Sequence, residues 1–126
     1  MSQNRTIMVV DDDDDTREML KIILHSQGFN VVDCSGGQQA LDLMKETTPA
    51  LVILDIMMPE MNGYEVLVRM KQNPKTQNVD IIFLTAKGEL DDILTGYKEY
   101  EVDYYITKPF TARQLLAGIK LVLGYV

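Results

Sequence analysis

The chain alternates between short apolar runs and longer stretches in which apolar residues recur three and four positions apart. The first run, Thr6-Ile7-Met8-Val9-Val10, reads as a strand and gives way to Asp11 through Asp15. From Thr16 to Gln27 the period becomes helical, with Met19, Leu20, Ile23 and Leu24 on one face and Gly28 as the stop signal. Phe29 to Asp33 forms a short second strand. Ser35 with Gln38 three residues on is the signature of a capping box, opening a helix that carries Ala40, Leu41 and Met44. After Pro49, four consecutive apolar residues, Leu51 to Leu54, have the pattern of a strand buried on both faces, as in a parallel sheet. That strand ends in Asp55.

Asn62 and Glu65 open a further helix with Val66, Leu67 and Met70 facing inward, and Asn73-Pro74 closes it. Val79 to Leu84 is a fourth strand, running into Thr85-Ala86. A weaker helix is expected over roughly Leu90 to Tyr100, where Gly96 costs about 1 kcal/mol relative to Ala. It is expected to be the most mobile of the set. Tyr104 to Thr107 is the fifth strand, followed by Lys108-Pro109. Thr111 with Gln114 then caps a last helix whose apolar face is Leu115, Leu116, Ile119, Val122 and Leu123.

Strands alternating with helices, without internal repeats, predict an open parallel sheet covered by helices on both faces, joined by right-handed crossovers. In such α/β sheets ligands bind outside the carboxyl ends of the strands, at the switch point of strand order. Asp11, Asp12, Asp55, Thr85 and Lys108 all fall at such ends.

Composition narrows the classes of function. At 126 residues the chain has the size of a single domain, taken here as 1–126 with a core from about 5 to 124 and no effector domain. Acids outnumber bases 19 to 12, for a net charge of -7, which argues against direct binding of nucleic acid. No signal sequence or membrane-length apolar run is present, so the cytoplasm is the expected compartment and no membrane partner is expected. The single cysteine, Cys34, has no disulfide or metal-binding partner and reads as core or strand-end packing. His25, near the end of the first helix, is expected to face solvent.

The strand-end residues form a chemical set. Carboxylates crowded in one crevice repel one another, by on the order of 4 kcal/mol for unit charges about 4 Å apart at an effective dielectric constant of about 20. Either their pKa values rise or a cation binds. Oxygen ligands without His or Cys favour a hard ion, and few carboxylates with room for water and phosphate suit Mg²⁺ better than a full Ca²⁺ cage. The contiguous Asp run lacks the alternating spacing of an EF-hand loop. Asp13 to Asp15 are assigned to capping the first helix, where its dipole favours acids. Lys108 is a compact cation suited to an arriving phosphate, and the Thr85 hydroxyl can donate to a phosphoryl oxygen. Separately, Lys108 reads as a surface residue before a turn proline, and Thr85 as a strand terminus. Together with a carboxylate nucleophile they describe an aspartyl-phosphate centre.

The motifs Val9-Val10-Asp11-Asp12, Leu54-Asp55-Ile56-Met57-Met58-Pro59 with Asn62-Gly63, Leu84-Thr85-Ala86, and Tyr105-Ile106-Thr107-Lys108-Pro109-Phe110 resemble those of the receiver domain of bacterial response regulators. The resemblance to this CheY-like family runs from about Thr6 to Leu123 and implies a five-stranded, doubly wound, flavodoxin-like (βα)5 sheet in the order 2-1-3-4-5. By the same resemblance, Asp55 accepts a phosphoryl group from a phosphohistidine on a sensor kinase or phosphotransfer protein. Asp12, with Asp11 mainly through water, holds Mg²⁺ together with Asp55 and the backbone carbonyl of Met57. Lys108 pairs with the phosphoryl group, the Lys108–Pro109 bond is cis, and Thr85 binds a phosphoryl oxygen. Tyr105 is the switch aromatic that turns inward as Thr85 moves, biasing an output face towards a partner that the sequence does not name. The implied role is signalling, with catalysis limited to the domain's own phosphorylation and dephosphorylation.

Departures from the family pattern lie near the output face. Glu101-Val102-Asp103-Tyr104 replaces the frequent Gly-Ala-Asp-Asp, and Gln114 and Gly118 stand where dimerising members carry an acid and an Arg. A monomer or weak dimer is therefore expected. Two other readings share parts of the pattern. A flavodoxin-like cofactor binder needs a Gly, Ser or Thr-rich phosphate loop where this chain has five Asp, and a haloacid-dehalogenase-type phosphatase needs Asp-x-Asp where Met57 stands. A receiver-fold module working without phosphate is disfavoured by the intact strand-end set.

Overall fold

The computed structural model describes residues 4–86 and 102–126. Five strands, β1 (Thr6–Val10), β2 (Asn30–Cys34), β3 (Leu51–Asp55), β4 (Asp80–Ala86) and β5 (Tyr104–Lys108), form one sheet. Its order is β2-β1-β3-β4-β5, and every neighbouring pair is parallel. The helices among the described residues are α1 (Asp14–Ser26), α2 (Gly37–Met44), α3 (Gly63–Lys71) and α4 (Ala112–Leu123). The helix expected over Leu90 to Tyr100 lies outside the described residues.

Alternate strand residues feed two separate cores. Met8, Val10, Val52, Leu54, Ile81 and Phe83 pack with Ala40, Met44, Val66, Leu67 and Met70 of α2 and α3. Ile7, Val9, Leu51, Ile53, Ile82 and Leu84 pack with Leu20 and Leu24 of α1 and Leu115 and Ile119 of α4. A strand covered on both faces has no solvent side, which is why β3 is apolar at four consecutive positions and buried along its whole length. The outer strand β2 is mostly half-exposed and its sequence is correspondingly mixed.

Capping follows the sequence at three helices and departs at one. The Asp13 side chain accepts from the Thr16 N–H at the start of α1, and the Asn62 side chain accepts from the Glu65 N–H at the start of α3. Thr111 and Gln114 complete a reciprocal capping box on α4, which closes on Gly124 in the left-handed conformation at φ 84°. The box expected from Ser35 and Gln38 does not form. Gly36 is the N-cap of α2, without a side-chain bond, and it is the Gln39 side-chain oxygen that accepts from the Ser35 N–H. The helix begins one residue later than the Ser/Gln spacing requires. Met19 is likewise not inward: it is 40% exposed, because the buried stripe of α1 centres on Leu20 and Leu24 and Met19 lies one step round the helix. Cys34 is buried at the end of β2, where desolvation, and then the neighbouring Asp33 charge, push its thiol up to about 11. His25 is exposed on the last turn of α1.

The candidate acidic site

The parallel register sets the strand ends side by side. Val10 pairs with Leu54, Asp55 with Leu84, and Ala86 with Lys108, so the residues leaving β1, β3, β4 and β5 converge on one edge of the sheet. Asp11 continues the line of β1, its N–H donating to the Cys34 carbonyl at 3.1 Å. It is fully buried, and its carboxylate is shared: one oxygen accepts from the Asp13 N–H at 2.9 Å and the other meets Lys108 Nζ at 2.8 Å. Asp12, next in the chain, is exposed.

Asp55 is 5% exposed at the tip of β3, with its Oδ1 3.6 Å from Lys108 Nζ. The chain beyond it is held tightly, since the Ile56 N–H donates to the Leu84 carbonyl at 3.1 Å and the Gly63 N–H to the Ile56 carbonyl at 2.8 Å. A Cβ on Gly63 would lie 2.7 Å from the Asp55 carbonyl oxygen and 2.9 Å from Ile56 Cα. Both are backbone atoms that cannot step aside, so glycine is required here by close approach.

Carboxylate oxygens of Asp11, Asp12 and Asp55 lie within 4.8 Å of one another. The repulsion expected from the sequence is present and falls on Asp55: burial, and then the charge of Asp11, raise its pKa to about 7, against the opposing pull of Lys108 and the Met57 N–H. For Lys108, burial works against the ammonium but is outweighed by its hydrogen bond to Asp11 and the charge of Asp55, so its pKa stands above the ordinary lysine value. Among the described residues, one lysine meets two of the three clustered carboxylates, an excess of negative charge that a hard divalent cation would neutralise.

Thr85 is buried beside Asp55 in the sheet order, its hydroxyl donating to the Ala86 carbonyl at 3.2 Å. Tyr105 is half-buried, and burial raises its phenol pKa. The Met57 side chain is 57% exposed at the mouth of the site, and the Lys108–Pro109 peptide is cis. Every residue expected at the strand ends is thus brought to one edge.

Arg17 was not among the expected site residues. From the first turns of α1 it donates to the Asp11 carbonyl at 2.7 Å, and it pairs with Asp14 and with Asp33. It fixes the acidic loop to the sheet edge from below. The only trace of this in the sequence is a basic residue six positions after Asp11, which is too common to signal a role.

A doubly wound parallel sheet that gathers three carboxylates, a buried threonine and a lysine at its carboxyl edge defines a receiver-type α/β domain. The chain belongs to the response regulator receiver domain family, matching it over residues 7–120, and is thereby a receiver domain of two-component systems. It is 40% identical over 119 residues to the phosphate regulon transcriptional regulatory protein PhoB of Pseudomonas aeruginosa, a match covering 94% of this chain and 52% of that protein. It is 38% identical over 117 residues to the transcriptional regulatory protein SrrA of Staphylococcus aureus, covering 93% and 47%. The chain thus spans about half the length of the curated relatives it matches. Among solved structures, a CheY-like response regulator receiver domain protein from Methanospirillum hungatei is similar at a TM-score of 0.79 and 38% identity, covering 91% of this chain and 90% of that one.

Proposed function

We propose that the chain is the phosphoacceptor of a His-Asp phosphorelay, with Asp55 as the residue that receives the phosphoryl group. The observation that carries this is the placement of the Asp55 carboxylate, nearly buried, beside both the Lys108 ammonium and the Asp11–Asp12 pair. A carboxylate oxygen of Asp55 attacks phosphorus, the phosphohistidine N–P bond breaks, and its electron pair returns to the histidine nitrogen of the sensor kinase or phosphotransfer protein. The nucleophile is the carboxylate form of Asp55, which a cation beside it favours over the protonated form against the upward push of burial and Asp11. The protein's task is therefore positioning and charge neutralisation rather than general-base catalysis. Lys108 supplies a point charge for the transferred group. Asp11, Asp12, Asp55 and the Met57 carbonyl are the groups that would hold Mg²⁺, which when bound offsets the charge on the phosphoryl oxygens. The domain promotes its own phosphorylation and dephosphorylation and acts on no other substrate.

Transfer replaces one negative charge on Asp55 by a larger one with additional acceptor oxygens. Lys108 then has a better partner than Asp11, and the Thr85 hydroxyl has an acceptor across the cleft. Their movement biases Tyr105, two residues back along β5 from the Thr85 register partner Thr107, and so the surface formed by β5 and α4. A full swing from 1:99 to 99:1 needs about 5.5 kcal/mol of preference for one state, more than one hydroxyl supplies, so Lys108 and Thr85 must act together. The partner on that surface is a protein. The acidic balance of this domain argues against its own direct contact with nucleic acid, and the single cysteine suits the cytoplasm.

Gly118, where dimerising relatives are expected to carry Arg, lies under the ring of Tyr104: a Cβ there would be 2.9 Å from Tyr104 Cε2. Tyr104 is a half-buried strand residue packed on α4, which supports a monomer or weak dimer over a salt-bridged one. The reading is tested with beryllofluoride and Mg²⁺, a mimic of the phosphoryl group, followed by amide NMR. Shifts at Thr85, Tyr105 and α4 in the wild type, absent in Asp55→Asn, are expected. Shifts that persist in Asp55→Asn would contradict it.

A further inference from the structure

Tyr64 is the second residue of α3 and follows the glycine that lies on the Asp55 backbone. It is only 3% exposed, and its hydroxyl is buried with it. Phenylalanine would fill the same apolar space without the desolvation cost of a hydroxyl. The Tyr64 ring stands edge-on to Phe83, with centroids 5.0 Å apart and planes at 65°. Phe83 in turn meets Tyr105 at 5.8 Å and 47°, and the two are register partners on β4 and β5. Burial raises the Tyr105 phenol pKa, and the Tyr64 side chain opposes that rise.

These contacts make a continuous path. It runs from the Asp55 carbonyl through the Gly63 backbone to Tyr64, and from the Tyr64 ring through Phe83 to Tyr105 on the far strand. The segment is rigid at both ends, held by the Gly63 N–H bond to Ile56 and by the Asn62 cap. A displacement of the chain after Asp55 therefore moves Tyr64 as part of the α3 N-terminus.

We propose that Tyr64 is a positioning residue for Tyr105, holding it against the core so that the segment after Asp55 is coupled to the output face through α3 as well as through Thr85. The coupling half of this proposal rests on the phosphoacceptor reading above, whereas the positioning half does not. One hydroxyl contact is worth about 0.5–1.5 kcal/mol. Its loss corresponds to about a two- to tenfold change in an equilibrium linked to it.

The test compares wild type, Tyr64→Phe and Tyr64→Leu, with Tyr105 ring signals assigned by their loss in Tyr105→Phe. In metal-free protein, Tyr64→Phe is expected to move the Tyr105 ring shifts towards those of an exposed tyrosine and to raise its titration midpoint, with the fold retained as judged by the amide spectrum. Tyr64→Leu is expected to enlarge the ring shift. Affinity for beryllofluoride with Mg²⁺ should fall about two- to tenfold in Tyr64→Phe, and should be insensitive to that change in a Tyr105→Phe background. Unchanged Tyr105 shifts and titration in both variants would overturn the positioning role, and an equal loss of affinity in the Tyr105→Phe background would overturn the coupling. A wild type that takes no beryllofluoride strikes down the phosphoacceptor reading and with it the coupling, while the ring measurement still decides the positioning role.

Discussion

Lys108→Met is expected to lower the stability of the metal-free protein by about 2–3 kcal/mol at neutral pH, read as a shift in the urea midpoint. Asp11 is fully buried and, among the described residues, the cationic side chain its carboxylate meets is Lys108, with Nζ at 2.8 Å. Removing one member of a buried ion pair leaves the other desolvated, a loss of about 3–5 kcal/mol when both are buried. Here the lysine side chain is 27% exposed, so water screens part of the interaction and the smaller figure applies. The variant also loses the cation facing Asp55 at 3.6 Å, leaving three carboxylates together. Asp11→Asn in the same chain should recover much of the loss, since the buried charge goes with its partner. A Lys108→Met midpoint within error of the wild type would mean that Asp11 is not held by this pair.

Asp55→Asn is expected to do the opposite, raising metal-free stability by about 2–4 kcal/mol at pH 7–8. The Asp55 carboxyl is raised from 3.8 to about 7 by burial and by Asp11. Between these values the folded state binds more protons than the unfolded chain, so stability falls as pH rises. The contribution is fully present below the unfolded value of 3.8 and is lost as pH climbs through about 7. Asparagine is close in shape, can still accept from the Met57 N–H, and has no charge to desolvate. The advantage of the variant should therefore be small near pH 4 and grow to its full size by pH 8. Mg²⁺ should narrow the gap by stabilising the wild type more, because a ligand stabilises only the state that binds it. Parallel stability curves for the two proteins across pH, in metal-free buffer, would contradict the electrostatic account.

The periodic parts of this fold were legible because burial imposes them on the sequence. A strand covered on both faces must be apolar throughout, and β3 is; a helix against a sheet must carry an apolar stripe, and Leu115 and Ile119 in α4 lie on it. Asp55 stood out because a carboxylate at the end of such a strand is costly without a partner. The site followed from parallel topology, which brings strand ends together whatever the spacing along the chain.

Residues whose roles depend on contacts across the fold were not legible. Arg17 reads as an ordinary helical cation until its bond to the Asp11 carbonyl is seen. Tyr64 reads as core filler until its ring is seen edge-on to Phe83, which in turn meets Tyr105. The Ser35/Gln38 spacing suggested a capping box, but the helix start shifted by one residue and Gln39 took the bond. Met19 lay near enough to the apolar stripe to look buried, and only packing against the sheet decides its side.

The most direct measurement is intact-mass spectrometry after incubation with acetyl phosphate, with and without Mg²⁺, on wild type and Asp55→Asn. The account predicts a single phosphoryl adduct that requires both Mg²⁺ and Asp55. An adduct that survives Asp55→Asn, or a wild type that gains none even where trapping by beryllofluoride excludes rapid hydrolysis, would contradict it and leave a receiver fold that signals without phosphate.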